Sequence, residues 1–226
     1  GNNRSLDFSY LNPISSHVEI ELNDRLNKIG SSGSNAVWQF HLDFLIREKL
    51  RFSLNYLIDE FVFDRDIEIG KEHGLGSSVR ISYVTIDTEN RFISFIFKNT
   101  FIGTPTLRHS NGSNNFILNN HPLGWKGGSD SKEYSFGINY TNKKSTIFKM
   151  ETGLTQSGEE NIKRRSYEGY KDYQAGTFPS GKIEKSWFLL SKLEFWTNKK
   201  FNVSLFLKTE DQKENLFLLT LKRKLF

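Results

Sequence analysis

The chain has 226 residues, of which 36% are hydrophobic and 25% are charged, and its formal net charge is +5. It contains no cysteine, which excludes disulfide bonds and cysteine-based metal sites. No segment reaches the ~18 consecutive apolar residues of a transmembrane helix. Its lysines and arginines are scattered rather than clustered, so we expect no nucleic-acid partner. Such a low apolar content suits a chain whose interior and loops are polar.

Alternation of apolar and polar residues is the strongest pattern, and it is clear from residue 38 onward. The apolar residues are Trp38, Phe40, Leu42 and Phe44 in the first run, and Leu50, Phe52, Leu54, Tyr56 and Ile58 in the second. Successive side chains of a β-strand point to opposite faces, so each run has one apolar and one polar face. Runs of ~9–11 such residues are long enough to cross a bilayer as strands.

Candidate strands and their connections follow a regular order along the chain. The candidate strands cover residues 5–10, 35–46, 49–62, 77–86, 91–103, 132–140, 145–156, 185–196, 201–208 and 215–226. The connections between them alternate between short and long until the last hairpin. Outer-membrane barrels have this rhythm because the turns at one end are tight while the loops at the other end are long. A soluble Greek-key sandwich has no reason to keep it.

Together these patterns predict an all-β fold, specifically an antiparallel transmembrane β-barrel of about ten strands. It would form one domain over residues 1–226 in the bacterial outer membrane, in contact with lipid and lipopolysaccharide. We expect Phe188 and Leu190 to point inward, which indicates a lumen partly filled by side chains. Aromatic residues near strand ends, such as Tyr140 and Trp187, are typical of the girdle at a bilayer interface. The first residues show neither methionine nor a signal pattern, so we expect a mature chain or a fragment.

Two loop motifs carry a resemblance to a known family. They are LDFSYLNPI at residues 6–14 and NNHPLGW at residues 119–125, the second followed by GGSD at residues 127–130. In this order they resemble the C-terminal half of the capsule assembly (Wzi-type) outer-membrane proteins. That resemblance implies a larger barrel of roughly eighteen strands, of which this chain would be the C-terminal part. It also implies surface or capsular polysaccharide as the partner.

Aromatic and polar residues in two long loops are the candidates for contact with a polysaccharide. Aromatic rings stack on the apolar faces of sugar rings, while carboxylates and amides bond the hydroxyls and basic groups would meet acidic sugars. The candidates are His121, Trp125 and Asp130 in the loop 104–131, and Arg164, Arg165, Tyr167 and Tyr170 in the loop 157–183. The alternative is that the prolines and glycines of these loops only shape turns and that the charges are solvated.

No pattern of catalytic or metal-binding residues stands out. The five histidines are scattered at spacings that form no metal motif. His41 is expected on the polar face of its strand beside Asp43, where a hydrogen bond explains it better than lipase chemistry. Asp59, Glu60 and Asp64 lie close in sequence, but no partner acid is set by spacing. We therefore predict a protein that is not an enzyme and has no cofactor and no metal.

Two other functions remain open at this stage. A passive porin-like channel would need an open lumen and would conduct ions in planar bilayers. A soluble β-sandwich that binds carbohydrate would fold without detergent and would turn polar residues outward. A barrel that binds or anchors polysaccharide would instead need detergent or lipid to fold and would turn apolar residues outward.

Overall fold

The structure is a computed structural model that describes residues 37–60, 70–109, 112–142, 145–169, 176–198, 201–211 and 215–223. The strands within this part of the chain are β1 (Trp38–Arg47), β2 (Leu50–Glu60), β3 (Gly74–Asp87), β4 (Arg91–Ile102), β5 (Ile117–Leu118), β6 (His121–Pro122), β7 (Ser131–Asn142), β8 (Thr146–Ser157), β9 (Glu184–Asn198), β10 (Phe201–Glu210) and β11 (Leu216–Arg223). A 3-10 turn, Gly112–Asn114, precedes β5. Among the described residues, no helix is long and apolar enough to cross a membrane.

Nine of these strands form one antiparallel meander. The sheet order is β1-β2-β3-β4-β7-β8-β9-β10-β11, so each strand pairs with the strands that precede and follow it, while β5 and β6 form a separate hairpin between β4 and β7. The edges of the described sheet are β1 and β11, which do not pair with each other. The all-β antiparallel prediction is confirmed, but the described strands show an open sheet and no closed barrel.

Nine of the ten candidate strands correspond to strands of the sheet, and the tenth, residues 5–10, lies outside the described residues. The motif at residues 6–14 lies outside them as well. The start of β3 differs from the prediction, because β3 begins at Gly74 and not at Ser77. Gly76 lies so close to Ile102 that an added Cβ would be 2.8 Å from its Cδ1. A glycine that looks like a loop residue in the sequence here permits close strand packing.

Short and long connections lie at opposite ends of the sheet. The connections at one end span only two or three residues; they are 48–49, 88–90, 143–145 and 199–200. Residues 61–73, 103–130 and 158–183, and the shorter connection 211–215, join the strands at the other end. Since consecutive strands are antiparallel, the predicted alternation separates a short-turn end from a long-loop end. β11 runs toward the short-turn end.

The two faces of the sheet have opposite chemistry, as β7 illustrates. Tyr134 and Phe136 are 44% and 43% exposed, whereas Glu133 and Ser135, which point the other way, are 8% and 4% exposed. The strand registers extend this division across the sheet. We call the two sides the apolar face and the polar face. The apolar face includes Phe40, Leu42, Phe52, Leu54, Ile81, Phe95, Phe97, Phe136, Phe148, Trp187, Leu193, Leu205 and Leu219.

Polar side chains outnumber hydrophobic ones among the buried residues of the described strands and loops. Thirteen polar or charged side chains are buried there, five of them on sheet strands, against five hydrophobic ones, of which three are on sheet strands. Buried polar groups are stable only when they are hydrogen-bonded. Several side chains of the polar face are paired in this way: Lys98 Nζ donates to both carboxylate oxygens of Glu151 at 2.8 Å, and Ser135 Oγ donates to the same carboxylate at 2.8 Å. By contrast, Ser186 Oγ and Asn202 Nδ2 are buried without a partner among the described residues. Near the β1 edge, Arg51 and Ser53 both donate to Asp43 at 2.8 Å.

Phe188 shows how aromatic side chains fit on the polar face. It is buried at 6% exposure and pairs in register with Gly153 of β8. A Cβ at Gly153 would lie 2.6 Å from the Phe188 ring, so the glycine makes room for it. Lys126 Nζ lies 4.7 Å from the ring centroid on the loop side, a cation–π contact. The prediction that Phe188 and Leu190 point to the polar side is confirmed by the register.

Candidate functional site

The loop 103–130 folds back against the long-loop end of the polar face. Its first residues are fixed to the strands: Gly103 N–H and Thr106 Oγ1 both donate to the Leu75 carbonyl at 2.8 Å. The Leu107 N–H donates to Asp59 Oδ2 at 2.6 Å. Leu107 has a φ of +67°, a strained value for a branched residue, so these bonds hold a sharp reversal of the chain.

A small hydrophobic cluster packs the loop 103–130 against the strands. Its buried members are Ile102, Leu107 and Ile162, and the half-buried residues packed against them are Val37, Leu57, Phe116, Ile117 and Trp125. The indole of Trp125 covers Gly127, where an added Cβ would lie 2.2 Å from the ring. One face of the Trp125 indole therefore packs against its own loop, and this packing fixes the side chain at the end of the polar face.

Asp130 joins the loops 103–130 and 158–183 and is completely buried, at 0% exposure. Thr104 Oγ1 and Ser180 N–H donate to its Oδ1 at 3.0 and 2.8 Å, while Ser180 Oγ and Glu160 N–H donate to its Oδ2 at 2.5 and 3.1 Å. Its φ is +52°, a conformation that aspartate tolerates better than most residues. The sequence predicted Asp130 as a sugar contact; in the structure its carboxylate is buried and accepts four hydrogen bonds from the loops themselves.

Two asparagines connect the loop 103–130 to the loop 158–183. Asn161 Nδ2 donates to the carbonyls of Gly127 and Ser129 at 2.9 and 2.7 Å. Asn115 Nδ2 donates to the carbonyls of Ser166 and Glu168 at 3.0 and 3.1 Å. The two loops therefore form one hydrogen-bonded layer over the end of the sheet.

The predicted basic contacts are already paired with carboxylates. Arg164 forms an ion pair with Glu184. Arg165 Nη1 lies 3.1 Å from Glu160 Oε1 and 3.5 Å from Glu168 Oε2. An acidic sugar would have to compete with these carboxylates for either arginine.

The other predicted contacts are not brought together. His121 is exposed on β6, and Tyr167 is 57% exposed in the second loop. Tyr170 lies outside the described residues. Of the six predicted residues that the structure describes, Trp125 is the one that lines the cavity under the loop 103–130, and the hydrophobic cluster holds it in place.

That cavity has a volume of about 360 Å³ and lies between the loop 103–130 and the polar face. On the loop side its wall consists of Leu107, Phe116, Leu123, Gly124 and Trp125. On the strand side its wall consists of Val37, Gln39, Asn55, Leu57, Gly76, Ser77, Ser78, Thr100 and Ile102. Volumes of ~300–1,000 Å³ are typical of small-molecule sites.

Sequence reasoning missed the polar strand wall of this cavity. Gln39, Asn55, Ser78 and Thr100 were recognisable only as polar positions of alternating strands. Their registers place Gln39 and Asn55 on adjacent strands, with a 3.3 Å hydrogen bond from Gln39 Nε2 to Asn55 Oδ1. The Ser78 and Thr100 hydroxyls are 3.2 Å apart on the next two strands. His41 Nδ1 lies 2.8 Å from Asn55 Oδ1, which confirms the predicted hydrogen bond of His41 on the polar face.

Glu72 lies just before β3, where the two loops and the sheet meet. Desolvation by burial raises the pKa of Glu72 above its ordinary value of 4.5, and the negative charge of Asp130 adds to this rise. A hydrogen bond from the Gly176 N–H acts in the opposite direction. Among the described residues, no group of histidines and carboxylates could hold a metal ion.

Comparisons with known proteins give no relative. No family model, no curated protein and no solved structure matches the chain. Its function is therefore argued from the sheet and from the cavity.

Proposed function

We propose that this chain is a bacterial outer-membrane β-barrel, or the C-terminal part of one, that holds surface polysaccharide at its long-loop end without chemistry. The observation that carries the proposal is the division of the sheet into an apolar face whose large side chains are exposed or half-exposed and a polar face that buries hydrogen-bonded groups such as Glu133 and Ser135. Water does not stabilise a wide exposed band of aromatic and aliphatic residues, whereas lipid does.

Strand length and connection length also support a membrane location. Eight of the nine sheet strands have 10 to 15 residues, and β11 has 8. Tilted strands of ~9–11 residues cross the hydrocarbon core of a bilayer. Long loops at one end and tight turns at the other match the division between the outer and periplasmic sides of bacterial barrels.

Polysaccharide binding is proposed from the loop end. Trp125 is held by the hydrophobic cluster and borders a cavity, with His121 and Tyr167 exposed in the surrounding loops. The assignment to the capsule assembly (Wzi-type) family stays a prediction from the loop motifs, of which residues 119–130 lie within the described part of the chain.

Migration on a gel after refolding tests the membrane proposal. The chain would be refolded into detergent micelles and run with and without boiling. We expect the unheated band to migrate faster, because a closed barrel resists detergent. A chain that is soluble and folded in plain buffer, without any shift, would replace the barrel with a soluble carbohydrate-binding domain.

Binding to purified bacterial capsular polysaccharides tests the function once the fold is established. The refolded chain would be immobilised and exposed to each polysaccharide in turn. We expect saturable binding to at least one of them. Absence of binding, together with steady conductance in planar bilayers, would instead indicate a porin-like channel.

A further inference from the structure

We infer that the cavity under the loop 103–130 binds one uncharged pyranose unit, with its apolar face against Trp125 and its hydroxyls toward the strand wall. This inference rests on the proposed function, because it names the chemical class of sugar that the same loop end would recognise. It differs from the sequence expectation, which assigned acidic sugars to Arg164 and Arg165.

The two walls of the cavity match the two sides of a neutral sugar ring. The loop wall is apolar and aromatic, and a pyranose has an apolar face of C–H groups. The strand wall offers the amides of Gln39 and Asn55 and the hydroxyls of Ser78 and Thr100. An amide has two acceptor sites and two donor hydrogens, so the hydrogen bonds between these wall residues leave capacity for a ligand.

An acidic sugar does not suit this cavity. Its described lining contains no charged side chain. The nearest lysines along the chain are engaged, since Lys98 bonds Glu151 at 2.8 Å and Lys126 Nζ lies 3.6 Å from Glu133. A carboxylate, sulfate or phosphate that entered the cavity would lose its hydration without gaining a cation, which is strongly unfavourable.

A purely apolar ligand does not suit it either. An alkyl chain would cover the strand wall and leave the polar groups of Gln39, Asn55, Ser78 and Thr100 without water. Each polar group buried without a partner costs about 1–3 kcal/mol on protein scales. A ligand with one apolar side and several neutral hydroxyls avoids both penalties.

The test compares neutral with acidic oligosaccharides of equal length on the refolded chain. Maltohexaose, cellohexaose and mannohexaose would be the neutral probes, and hexamers of galacturonate and guluronate the acidic ones, with affinity measured by calorimetry. We expect at least one neutral hexamer to bind at least tenfold more tightly than either acidic one. Acidic hexamers binding more tightly would overturn this inference and leave the proposed function intact. Binding of none of the five would also overturn this inference, while the proposed function would be decided by the capsular polysaccharides.

Variants then locate the site. Trp125→Ala should weaken neutral binding at least tenfold and Trp125→Phe should restore part of it. Ser78→Leu, which fills the cavity from the strand side and leaves the hydrophobic cluster intact, should weaken it to a similar extent. Trp187→Ala, on the apolar face, is the matched control and should have no effect. Gel migration would verify that each variant folds. Unchanged binding in Trp125→Ala and Ser78→Leu would show that the sugar does not bind in this cavity. The proposed function would then still hold, with the polysaccharide bound elsewhere on the chain.

Discussion

At the scale of single residues, Asp130 has the most partners among the predicted site residues. One carboxylate receives hydrogen bonds from Thr104 in the loop 103–130 and from Glu160 and Ser180 in the loop 158–183. Hydrogen bonds to a charged group contribute about 1.5–3 kcal/mol each, although shared ones are not additive. Asp130 is therefore a structural centre of the loop layer.

Replacing Asp130 with asparagine should loosen both long loops. Asparagine tolerates the same positive φ but has one acceptor oxygen where aspartate has two. We expect a local loss of about 2 kcal/mol, seen as faster proteolysis within residues 103–130 and 158–183. Glu89→Gln, which changes an exposed carboxylate at the short-turn end, is the control. Equal protease resistance of Asp130→Asn and the unmodified chain would contradict this role.

Glu72 should make the long-loop end less stable as the pH rises. Its pKa is raised in the folded chain, so the folded state holds the proton more tightly than the unfolded state does. The associated stability is fully present below the unfolded pKa and is lost as the pH rises through the folded pKa. We expect the midpoint of thermal unfolding to fall over this range in the unmodified chain and to fall less in Glu72→Gln.

Circular dichroism at a series of pH values would measure these midpoints. Glu89→Gln again provides the comparison, since its carboxyl group lies at the opposite end of the sheet and is exposed. If Glu72→Gln and the unmodified chain have parallel pH profiles, burial of Glu72 does not contribute to folding.

At the scale of strands, the apolar face gives the sharpest test of what surrounds the sheet. Phe136 lies in the middle of β7 on this face and stacks on Phe95 at 5.9 Å between ring centroids. In a bilayer, an arginine at the midplane of a barrel strand costs about 2–4 kcal/mol. We expect Phe136→Arg to lower the folded fraction in lipid vesicles by this free energy in a urea titration.

A matched arginine on the polar face should be tolerated. Ser204 of β10 faces Glu194 of β9 in register, so Ser204→Arg would share the Glu194 carboxylate with Lys192, which already forms an ion pair with it. If Phe136→Arg folds normally and Ser204→Arg does not, the face that carries Phe136 contacts water and the face that carries Ser204 is buried. The protein would then be soluble.

Strand positions could be predicted because alternation with a period of two is a local property of the sequence. The short hairpin of β5 and β6 was missed, although Asn119 and Asn120 carry the positive φ values of a tight hairpin turn. The cavity could not be predicted, because it forms only when residues 103–130 return to strands that precede them by dozens of positions. The ion pair of Arg164 with Glu184 could not be predicted for the same reason, because the two residues are distant in sequence and meet only in the folded chain.

At the scale of the whole molecule, strand direction limits how the sheet can close. β1 and β11 occupy the first and ninth positions of an antiparallel series, so they run in the same direction. Bacterial single-chain barrels have an even number of strands, all antiparallel to their neighbours. Direct pairing of β1 with β11 would break this rule, and we expect an odd number of further strands between them.

Cysteine pairs can test this expectation without interference, because the chain has no cysteine of its own. Leu42 of β1 would be changed to cysteine together with Phe217, Leu219 or Leu221 of β11 in turn. Disulfides require Cα atoms within about 7 Å, so we expect none of these pairs to form one within a chain. Leu205→Cys with Leu219→Cys, which are register partners in β10 and β11, should form one readily. An efficient bridge between β1 and β11 would show direct closure.

The separation of long loops from short turns also determines where the sequence can accept insertions during evolution. A residue inserted into a tight turn shifts a strand by one position and exchanges its two faces. A residue inserted into residues 103–130 or 158–183 lengthens a surface connection and leaves every strand in register. One end of the molecule is thus open to variation while the other is held constant. New binding surfaces can therefore evolve at the long-loop end while the strand register, and with it the fold of the sheet, stays the same.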